Sequence, residues 1–156
     1  MAGSVQGIAI LSPLIVALPT ILGTIVIHGL AVLAVVHLVR REERLGRAGI
    51  RFWRDLLIVS GTTLLALLAH LFEIAIWAVV FDLCGEFPQL SSAVYHSAVN
   101  YTSLGYGDVV MSAAWRLSGP LETADGMVMF GVSTAMIFAV IERLVQTRFK
   151  SEDSQH

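Results

Sequence analysis

The stretch Asn100–Val110, NYTSLGYGDVV, carries the residues whose types fit least well with their surroundings. Gly105 and Gly107 flank Tyr106, and two glycines so close together make poor helix. They suit a backbone that must adopt dihedrals closed to other residues. In an apolar chain such a run has one physical use. Irregular backbone at membrane depth survives only where protein buries it or where it lines a water-filled cavity. A second set of groups lies in the apolar segments: His28, His37, His70 and Glu73. His70 and Glu73 stand three apart, on one helix face. An ionisable side chain inside a span faces protein or water rather than lipid. Either His28 or His70 can hydrogen bond Glu73 and so dock the first apolar segment on the second; the other option is a protonated Glu73 bonded to backbone or to a serine. Metal chemistry is a weaker use of this set, because carboxylate-bridged di-iron bundles need several carboxylates and paired Glu-x-x-His motifs. No resident cofactor is expected.

The elements that position these groups follow from composition. Of 156 residues, 56% are hydrophobic and 14% charged, against about 25% charged in a soluble domain. Mean hydropathy is +0.76. The net charge of −2 gives no pull toward nucleic acid, and the single Cys84 rules out an intrachain disulfide framework. No Asp, Glu, Lys or Arg precedes Arg40, so the start does not read as a cleavable signal peptide, which opens on basic residues.

Three segments are long enough to span a bilayer, which takes about 20 apolar residues: Pro19–Val39, Leu56–Phe81 and Leu121–Val145. The apolar run before Pro19 either extends the first helix or lies at the interface, since Pro13 and Pro19 argue against one straight helix. Pro88 fits the first turn of a short helix over Gln89–Tyr101, too short to span, and Pro120 the first turn of the last. The fold class is all-α: three membrane helices, with a re-entrant helix and a Gly-rich loop between the second and third. The expected divisions are 1–40 for the first helix, 41–55 for a basic loop, 56–147 for the central module and 148–156 for a polar tail. Arg40, Arg41, Arg44, Arg47, Arg51 and Arg54 fill the loop, and Arg143, Arg148 and Lys150 follow the third span. Short basic loops stay on the cytoplasmic side. That places the N-terminus and the Gly-rich loop outside and the C-terminus inside, with the arginine loop read as a solvated connector.

Thr102–Asp108, TSLGYGD, set after a short helix and between two spans, resembles the selectivity filter of the potassium-channel family, written Thr-x-Val-Gly-Tyr-Gly-Asp. The resemblance implies that carbonyls of Thr102, Ser103, Leu104, Gly105 and Tyr106, with the Thr102 hydroxyl, replace the hydration shell of K+. It further implies that Tyr106 points away from the axis, that Asp108 draws cations to the outer mouth, and that four copies close the ring. Tyr95 and His96 stand where relatives brace the filter with a tryptophan pair, and His96 is expected to hydrogen bond near Tyr106. Leu104 replaces valine, and Val99 stands where some relatives place a glutamate. In the third span Gly131 stands where a hinge glycine is common; it is either a hinge or a point of close helix approach. Val132, Ala135, Ala139 and Glu142 share a helix face that either lines the cavity or packs on the second span.

The resemblance thus implies a passive, potassium-selective, homotetrameric channel of the plasma membrane and not an enzyme. The first span holds no arginine before Arg40, so the intramembrane charges of a voltage sensor are missing. The alternatives are a non-conducting accessory or sensor subunit with a pore-like fold and, further off, a membrane metalloprotein.

Overall fold

The structure is a computed structural model that describes residues 2–49 and 51–153, with side chains over 11–49 and 51–149. Four helices follow one another: α1 (Ala2–Arg44), α2 (Phe52–Leu83), α3 (Leu90–Tyr101) and α4 (Ser118–Asp153). No strand occurs among the described residues. Leu11–Arg44, Phe52–Leu83 and Ser118–Phe149 are each long and apolar enough to cross a membrane. The run before Pro19 belongs to α1, with Pro13 and Pro19 both inside the helix. α4 runs beyond Val145 to Asp153, and 154–156 of the expected tail lie outside the described residues.

Local chemistry sets the helix ends. Gly46 (φ 61°) and Gly85 (φ 74°) take left-handed backbone just past α1 and α2. At the end of α2, Gly85 donates its amide to Asp82 and Glu86 donates to Phe81, at 2.9 and 3.2 Å. This paired pattern satisfies two orphan carbonyls and needs glycine at the turn. Pro88 does not enter the first turn of α3. Gln89 is the N-cap, with extended dihedrals (φ −146°, ψ 140°), and Pro88 lies one residue outside it. Pro120 does lie in the first turn of α4, where amides have no intrahelical partner to lose.

The chain divides into two compact units. One takes residues up to Ile27 with His70–Met129; the other takes His28–Ala69 with Phe130 onward. The core of the first unit gathers Trp77 and Phe81 of α2, Ala93 and Tyr101 of α3, Ala17 of α1 and Met129 of α4. Three of its helices meet at Asp125. The Trp77 indole donates to Asp125 Oδ2 at 2.9 Å, and the Thr24 hydroxyl lies 2.8 Å from the same oxygen. All three side chains are buried. This is a polar link between α1 and the rest of the unit, made on α4.

The core of the second unit is Val35 and Val39 of α1, Ile58 and Ala66 of α2, Met136, Val140 and Leu144 of α4, and Ala48 of the connector. The connector is therefore not simply solvated. Gly49 donates its amide to Asp55 Oδ1 at 2.9 Å, and a Cβ on Gly49 would fall 2.9 Å from the Arg148 nitrogen. Arg148 pairs with Asp55 at 2.8 Å, Arg54 with Glu42 at 2.9 Å, and Arg143 with Glu43.

Replacing Asp125 by Ala strands a buried indole N–H, which costs about 1–3 kcal/mol. Thermal unfolding of Asp125→Ala in detergent is expected several degrees below wild type, and Trp77→Phe on that background should add less than it does alone. An unchanged unfolding temperature for Asp125→Ala would show that the junction carries no stability.

Candidate functional site

The site begins at the end of α3. Tyr101, the last residue of that helix, is completely buried, and its hydroxyl donates to Glu73 Oε2. His70 Nδ1 lies 3.3 Å from that carboxylate oxygen and 3.4 Å from the Tyr101 hydroxyl. His28 meets the Ser133 hydroxyl at 3.0 Å within the second unit. Glu73 is 0% exposed, so it needs such partners. Two residues of α4 close on the same helix end. Thr123 Oγ1 donates to the Asn100 carbonyl at 3.0 Å. Gly126 packs against Tyr101 so closely that a Cβ there would fall 3.0 Å from the Tyr101 carbonyl carbon. Neither Tyr101 nor Gly126 was singled out from sequence. The signal was a tyrosine ending the predicted short helix and a glycine early in the third span.

From this fixed point the backbone leaves the helix in a defined way. Thr102 caps α3 with φ −81° and ψ 3°. Its hydroxyl donates to the Ala98 carbonyl at 2.6 Å, which leaves the oxygen lone pairs available as acceptors. The amides of Ser103, Leu104 and Gly105 donate back to Asn100 and Val99, the last two converging on the Val99 carbonyl at 2.9 and 3.3 Å. Ser103, Gly105 and Gly107 all have positive φ, 60°, 62° and 73°. Glycine adopts this region freely; Ser103 does so at a cost of roughly 1–2 kcal/mol, with no local signal for it. Every second residue is left-handed, which breaks the alternation of an extended strand. Residues 102–108 are exposed throughout, Tyr106 at 67%.

The far side of the segment is tied to α3 and to the turn after α2. Tyr95 donates to Asp108 Oδ2 at 2.8 Å, a bond that pushes the Tyr95 hydroxyl pKa up because ionisation would break it. His96 Nδ1 lies 2.8 Å from the Val109 carbonyl, and Asn100 Nδ2 lies 2.7 Å from His96 Nε2. These partners fit a neutral ring that donates from Nδ1 and accepts at Nε2. His96 thus reaches the segment beyond Tyr106, at Val109, because the chain runs back along α3. Ser112 donates its amide and hydroxyl to Glu86 at 2.8 and 2.9 Å, a contact not anticipated from sequence.

In α4, Val132, Ala135, Ala139 and Glu142 form an exposed stripe, while Ser133, Met136, Val140 and Leu144 are buried on the opposite side. The stripe therefore does not pack on α2 within the chain. A Cβ at Gly131 would meet nothing within 4 Å, so close helix approach within the chain is not the reason for this glycine.

Residues 69–143 match the model of the ion channel family. The match covers just under half the chain, and it takes in α3, the Gly-rich segment, most of α4 and the part of α2 that carries His70 and Glu73. No curated protein and no solved structure matches significantly. The match and the three apolar helices together support an ion-channel pore in a membrane protein.

Burial, partly offset by the bond to the Val109 carbonyl, lowers the His96 pKa below its ordinary 6.5. The unfolded chain then takes up a proton before the folded one does, so stability is full above pH 6.5 and falls as the pH drops below it. Protonation also places a second donor at Nε2, opposite the Asn100 amide. Melting temperatures in detergent should fall between about pH 6.5 and 5 for wild type. His96→Phe should lower stability at pH 7.5 by about 1–3 kcal/mol and flatten that acid limb. An identical acid limb in His96→Phe would exclude His96 as its source.

Proposed function

We propose that four copies of this chain form a potassium-selective channel, with residues 102–108 as its filter. The observation that carries the reading is the backbone of that segment: left-handed at Ser103, Gly105 and Gly107, with its amides turned back onto α3. Such a run turns the carbonyls of 102–106 toward one side. A ring of uncharged carbonyl oxygens exchanges for the hydration shell of K+ at small net cost. One chain offers only one wall of such a ring, and the segment stands exposed in the single chain. Four walls around a common axis supply the count of oxygens that a dehydrated K+ needs.

The other residues take roles around this ring. Tyr95 and His96 hold the outer limb, Asp108 gathers cations at the mouth, and the Thr102 hydroxyl adds an acceptor at the inner end. The exposed α4 stripe with Val132, Ala135 and Ala139 lines the water-filled path, and its small alanines leave room for a hydrated ion. Gly131 is the hinge on which α4 bends. Leu11–Val39 holds no Lys or Arg, which favours gating without an intrinsic voltage sensor. The arginines at 40–54 and 143–148 favour a plasma-membrane orientation with those ends cytoplasmic. Conduction is passive and needs no cofactor.

Purified protein in liposomes is expected to pass K+ and Rb+ at least tenfold faster than Na+. Gly105→Ala is expected to abolish that preference or the assembly itself, because φ 62° is strained for alanine. Equal K+ and Na+ flux through wild-type protein would remove the selectivity claim.

A further inference from the structure

We propose that the start of α2 and the end of α1 form a binding site for an anionic phospholipid, with the phosphate on Arg51 and an acyl chain in the groove beneath it. The groove lies within the second unit and measures about 650 Å³. Leu38 of α1 with Trp53 and Leu57 of α2 form apolar walls, and Arg51, Arg54 and Glu42 stand at its mouth. Trp53 is 73% exposed and Leu57 71%.

Three observations select a lipid of negative charge. The first is position. The apolar spans end at Arg44 and begin again at Phe52, so the groove opens where hydrocarbon gives way to headgroups. Tryptophan concentrates at that level, with its ring in the apolar part and its N–H toward water. The second is charge. Glu42 already pairs with Arg54 at 2.9 Å, which leaves Arg51 as the uncompensated charge at the mouth. Arg40, Arg41, Arg44 and Arg47 likewise have no ion pair among the described residues, whereas Arg54, Arg143 and Arg148 each have one. Basic clusters next to a membrane helix draw anionic headgroups, at about 1 kcal/mol for each basic side chain. The third is shape. The open cleft has an apolar floor and a cationic rim. A phospholipid has the complementary order of parts, whereas a soluble anion would leave the floor uncovered.

Arg51 can be changed without dismantling the helix. Its contribution to the start of α2 comes from its carbonyl, which accepts from the Arg54 and Asp55 amides at 2.9 and 3.1 Å. The Arg51 side chain itself is exposed. The site is independent of what the pore conducts, since the readout is binding.

The test is quenching of Trp53 fluorescence by brominated lipid in reconstituted full-length protein, taken as the difference between wild type and Trp53→Phe. Brominated phosphatidylglycerol is expected to half-quench Trp53 at about one-fifth the mole fraction that brominated phosphatidylcholine needs, the ratio that about 1 kcal/mol gives. Arg51→Gln should bring the two lipids together, and Arg51→Lys should keep most of the difference. Millimolar inorganic phosphate should leave the preference in place. Four results would overturn the proposal. They are equal quenching of wild type by the two lipids, a preference that persists in Arg51→Gln, loss of the preference in free phosphate, and no quenching by either lipid. The last is what a second copy seated on the groove would produce.

Discussion

The hydrogen bond from Tyr101 to Glu73 is the constraint on which the rest of the site depends. It joins the last residue of α3 to the middle of α2 with both groups fully buried. A carboxyl group inside an apolar helix is costly unless partnered, and the hydroxyl and His70 supply the partners. Cost and function are linked here. The bond to Glu73 ties the Tyr101 side chain to α2. Thr123 and Gly126 on α4 then close on the adjoining backbone. Residue 102 therefore leaves α3 from a point held by two other helices, and the direction of the segment up to Asp108 follows from it.

Beyond that anchor the segment is held at its edges. Its amides return to Val99 and Asn100, and its outer limb hangs on Tyr95, His96 and Glu86. Between these ties residues 102–108 stay exposed, as does one stripe of α4. Exposed apolar side chains such as Leu104 and Tyr106 on an otherwise well-tied segment mark a surface meant to be covered. This is the physical reason for reading the single chain as one part of a larger pore.

Much of the architecture was legible from the sequence, because long apolar runs and glycine placement are local signals. The three spans and the short helix before the Gly-rich run are of that kind. A proline fits a first turn and the position just outside a cap equally well, and Pro88 takes the second. The partners of buried polar groups were less legible. Glu73 was matched to a histidine by depth and helix face, and His70 is indeed near it, but Tyr101 lies 28 residues away and only packing brings it there. Ser103 in left-handed backbone and Glu86 on Ser112 have no local signature either. The same holds for Asp125, which only packing brings to Trp77 of α2 and Thr24 of α1.

In the proposed channel the 102–106 carbonyls, held by Tyr101, make a K+ site shared between copies. A ligand that binds only the assembled state raises its melting temperature with concentration. The most direct measurement is the thermal dissociation of the purified oligomer in K+ against Na+ at equal ionic strength, for wild type and for Tyr101→Phe. The melting temperature is expected to climb with K+ and not with Na+ in wild type, with a much smaller difference in Tyr101→Phe. Identical curves in the two salts for wild-type protein would contradict it.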